Sequence, residues 1–63
     1  MKFTKIITQS LRNLAQDYAR DYNRPLNETI WEVCKQYKSD HGLTEQQLHR
    51  LYIDVLKTLP SVR

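Results

Sequence analysis

Cys34, His41 and His49 are the side chains of this sequence best suited to bond making or metal ligation, as one thiol and two imidazoles. Cys34 and His41 stand seven residues apart, so a helix would carry both on one face. A thiolate nucleophile also needs an open cleft and a group to orient its base, which three short helices rarely provide. The trio matches no familiar zinc spacing either. Asn27-Glu28-Thr29 spells a glycosylation acceptor, but that asparagine is better used as a helix cap. The expectation is no catalytic residue, no metal and no cofactor.

Recognition chemistry is better represented. Lys5, Gln9, Arg12, Gln16 and Arg20 recur about once per helical turn, a basic face able to follow an acidic protein groove or a phosphate backbone. Gln46, His49 and Arg50 follow the turn glycine Gly42. If that turn is a helix-turn-helix, residues Thr44–Lys57 enter the major groove and Gln46 and Arg50 read base edges. Lys38 and His41 depart from the pattern, which wants a small and an aliphatic residue there, and Glu45 would sit badly near phosphate. Ile6, Trp31 and Ile53 fall outside the apolar stripes. With Arg50 and Lys57 beside Ile53, they are candidate anchors of a protein interface.

These side chains must be positioned by helices. Phe3, Ile7, Leu11, Leu14, Tyr18 and Tyr22, with Ala15 at the edge, form one apolar stripe. A first helix is expected over 3–22, ended by Asn23-Arg24-Pro25. A second is expected over 28–40, with Asn27 as N-cap, Ile30, Val33, Cys34 and Tyr37 as its stripe, and Gly42 as the left-handed residue beyond its end. Leu26 and Trp31 would close a hydrophobic staple. The clearest helix spans 45–58. Thr44 and Gln47 form its capping box, Leu43 and Leu48 its staple, and Leu48, Leu51, Tyr52, Val55, Leu56 and Leu59 its buried side; Pro60 stops it. All four tyrosines read as core-edge residues.

Sixty-three residues bound the answer to one domain, here an all-α, compact three-helix bundle covering 1–63. No apolar run approaches a membrane span, and a lone cysteine suits a reducing compartment, so a cytoplasmic location is expected. The net charge of +3 is concentrated in the first 24 residues. It falls short of the dense basic stripes of dedicated nucleic-acid binders. The leading expectation is a small non-enzymatic module that docks on a protein partner with an acidic surface, with homodimerisation open. The alternative is a DNA-binding regulator using the last helix, and a third reading is a structural subunit whose core a partner completes.

Overall fold

In the computed structural model, residues 3–59 are described; Pro60, expected to stop the last helix, lies outside them, as do 61–63. Three helices follow in order, α1 (Lys5–Tyr22), α2 (Leu26–His41) and α3 (Glu45–Leu56), and every pair is in contact. The radius of gyration is 11.2 Å, close to the about 11 Å of a compact chain of this length. This is the expected three-helix bundle.

Local chemistry sets most boundaries. Thr4 caps α1, its hydroxyl accepting from the Ile7 amide at 3.2 Å. Asn23 closes the helix in the left-handed region (φ 53°), and the Arg24 amide reaches back to the Ala19 carbonyl. Gly42 repeats this geometry at φ 64°, with the Leu43 amide on the Lys38 carbonyl. At the start of α3 both halves of the Thr44–Gln47 capping box are made.

Three boundaries differ from expectation. The first helix begins at Lys5, because Thr4 rather than a residue before Phe3 supplies the cap. The second begins at Leu26, so Asn27 lies inside it and is not the cap, and Leu26 no longer precedes the helix as a staple requires. Pro25 takes the cap position without a side-chain bond. Its fixed φ leads into the helix, and its carbonyl accepts the Thr29 amide. The third ends at Leu56; Thr58 and Leu59 continue in a tighter turn, with amides bonded to carbonyls three residues back.

The core is Ala15, Ile30, Val33, Cys34, Leu48, Leu51 and Val55. Two threonines are buried with it, and each satisfies its hydroxyl locally. Thr8 donates to the Lys5 carbonyl at 3.1 Å and Thr29 to the Leu26 carbonyl at 2.8 Å. On α1 the fully covered residues are thus Thr8 and Ala15, not the large side chains of the expected stripe. The helix is rotated so that its small residues meet the bundle, where short side chains permit close approach, while Phe3, Ile7 and Leu11 of the expected stripe pack half-buried against the core. Leu14, Tyr18 and Tyr22, expected in the core or at its edge, are exposed instead.

Candidate functional site

The rotation of α1 opens a groove between α1 and α2. Leu11, Leu14 and Tyr18 form one wall, Val33 and Tyr37 the other, and Glu32, Gln36 and Asp40 stand along the α2 edge, enclosing about 310 Å³. A second hollow of about 260 Å³ shares Tyr18 and Glu32 and runs on past Tyr22, Arg24 and Thr29. The side chains of Leu14, Tyr18 and Tyr22 are spaced four apart on α1 and are 42%, 44% and 70% exposed. Tyr18 and Tyr22 rest ring against ring at 6.2 Å. Apolar groups aligned in this way along an open cleft form a contiguous patch rather than scattered surface residues.

Charge around the groove is organised by two arginines. Arg24 holds Glu32 through two hydrogen bonds of 3.0 and 2.7 Å and lies 3.6 Å from Glu28. Arg20 bridges Asp17 and Asp21 at 3.1 and 3.5 Å. Asp40 accepts the Gln36 amide and meets no cation among the described residues.

The basic face of α1 is less free than its sequence suggests. Arg12 turns to α3, donating from Nη1 to the Thr58 carbonyl at 2.8 Å and to Asn13 through its other nitrogens. With Arg20 also engaged, Lys5 is the one charged residue of the face whose side chain makes no ion pair or hydrogen bond among the described residues. Gln9 and Gln16 are exposed beside it.

The apolar outliers separate. Ile6 is 77% exposed on the side of α1 turned away from Thr8 and Ala15, and Ile53 is 47% exposed on the outer side of α3. Outward faces of two helices packed on one core diverge, so these residues do not make a joint patch. Trp31 is half-buried between α2 and α3, edge-on to Tyr52 at 5.1 Å and to His49 at 5.6 Å. It belongs to the margin of the core. Gln46, His49, Arg50 and Lys57 are exposed along the outer side of α3, with Arg50 3.6 Å from Asp54 and Glu45 3.6 Å from Lys38.

Reactive chemistry has no foothold at Cys34. The thiol is fully buried, and that burial pushes its pKa from 9.0 up to about 12. His41, its partner by sequence spacing, is exposed and stacked on Tyr37 at 4.1 Å.

The sequence hides the groove because its apolar pattern turns Leu14, Tyr18 and Tyr22 inward. One signal was present. Thr8, Ala15 and Ala19 form a second, small-residue stripe beside the large one, and a three-helix bundle does not cover both. No family model matches this chain, and comparisons with known proteins and with solved structures found no similar protein.

Proposed function

We propose that this chain is a small, non-enzymatic helical module that docks on a protein partner, and that the α1–α2 groove is its docking face. The observation that carries the reading is the row Leu14, Tyr18 and Tyr22, apolar and uncovered on a helix whose small residues fill the core. Aromatic residues flanking a pocket are the usual anchors of protein contacts. An acidic partner surface, meeting Lys5, Gln9, Arg12, Gln16 and Arg20, is the weaker form of this reading, since Arg12 and Arg20 are already engaged.

The test is capture of partners from an extract of the native cells, with cross-linking, using four variants. Leu14→Asp and Tyr18→Ser should each keep the helicity and melting temperature of the parent and lose the captured protein. Ile6→Asp and Ile53→Asp should retain it. Loss with the isoleucine variants alone would move the docking face to the outer sides of α1 or α3.

A second reading has its own support. The left-handed Gly42 turn and the completed capping box deliver Gln46, His49 and Arg50 to the exposed side of α3, as a DNA-reading helix requires. It predicts duplex binding whose affinity falls steeply with salt, and Gln46→Ala with Arg50→Ala should erase sequence preference. Binding to duplex DNA no tighter than that of any mildly basic protein removes it.

A further inference from the structure

Resting on the docking reading, we infer that the α1–α2 groove takes a basic amphipathic helix of another protein. The molecule carries +3 overall, yet this face is negative. Arg24 answers two carboxylates, Glu28 and Glu32, and Arg20 answers Asp17 and Asp21, so each cluster keeps one negative charge. Asp40 adds a third at the far end of the groove. By helical spacing Asp17 and Asp21 border Leu14, Tyr18 and Tyr22 on one side, while Glu32 and Asp40 border the cleft on the other. The floor is apolar, and each rim keeps a net negative charge with its arginine counted, among the described residues.

The shape selects a helix. The walls run from Leu11 to Tyr22 along α1, about 16 Å at the helical rise, or about three turns of an occupant laid alongside. A void that accepts benzene is about 150 Å³, so 310 Å³ seats two apolar side chains of that size. Anchors at i, i+4 and i+7 with Lys or Arg beside them fit both the floor and the rims. A second copy of this chain fits poorly. A two-fold contact through this face would set its surplus carboxylates against their own copies, and like charges across an interface oppose association.

The experiment is an amide-resolved NMR titration of the full chain with two 18-residue helical peptides. Both carry Leu at i, i+4, i+7 and i+11; one has Lys at the flanking positions and the other Glu. The lysine peptide should shift the amides of Leu11, Leu14, Tyr18, Val33 and Gln36. It should bind about tenfold more tightly than the glutamate peptide at low salt, since each exposed ion pair contributes a few-fold at most and three act together. The preference should shrink towards unity at high salt. Asp40→Lys, exposed near the C-terminal end of α2, should erase most of it without changing the melting temperature.

Groove shifts with equal or better binding of the glutamate peptide would overturn the charge inference and leave the docking reading standing. Shifts from neither peptide, with capture still dependent on Leu14, would reject the helical occupant alone. Groove resonances that move with protein concentration, together with a dimer in sedimentation, would replace the occupant by a second copy. Loss of both the shifts and the Leu14-dependent capture would end the docking reading itself.

Discussion

Arg12 changes meaning once its partner is known. Its guanidinium spans from α1 to the carbonyl of Thr58 beyond α3, a charge-assisted bond that helps hold the last turn against the bundle. Arg12→Ala should cost about 1.5 kcal/mol, the lower end for a hydrogen bond from a charged group. It should also speed hydrogen exchange at the Thr58 and Leu59 amides more than elsewhere. Cys34 gives a pH test. Its folded pKa is raised from 9.0 to about 12, so the folded chain keeps the proton where the unfolded chain loses it. Its contribution is therefore full below the unfolded value and is lost as pH rises from 9 towards 12, by at most about 1.4 kcal/mol per unit. The destabilisation of Cys34→Ala relative to the parent, measured by denaturant melts, should accordingly shrink between pH 8 and pH 11.

Among the elements, the caps on either side of the Gly42 turn were readable, while the start of α2 and the rotation of α1 were not. The start of α3 follows from Thr44 and Gln47 alone, and the end of α2 from Gly42, because a cap is decided by a few neighbouring residues. Thr44→Ala should cost about 1 kcal/mol in thermal melts, while Asn27→Ala, at a position inside α2 with no capping bond, should be nearly neutral. Gly42→Ala meets nothing within 4 Å, so its cost of about 1 kcal/mol should be backbone strain alone. Pro25 displaced the start of α2 because its fixed φ suits helix entry even without a side-chain cap. Which side of α1 turns inward depends on the other two helices. Hydropathy favoured Leu14, Tyr18 and Tyr22; packing favoured Thr8 and Ala15, whose small size only matters once a partner helix is present.

At the scale of the molecule, a core of seven apolar side chains among the described residues supports three helices, and truncating its centre should be severe. Leu51→Ala, at a fully buried site, should cost about 3 kcal/mol in denaturant melts, a large part of the stability of so short a chain. Leu14→Asp, by contrast, should leave the fold intact. The helix count and core of α3 were legible because they are carried by strong periodicity. The candidate site was not, because it is made of what two helices leave uncovered between them.

The two seams of α2 differ in one practical respect. Trp31, the sole indole, lies on the α2–α3 seam against His49 and Tyr52, while the α1–α2 groove is lined by tyrosines. Emission excited at the red edge of the spectrum therefore watches α3 come away from α2 and is blind to a guest lodged on the other seam. A ligand that leaves that signal still while tyrosine emission changes has chosen its side of the bundle without any label being attached.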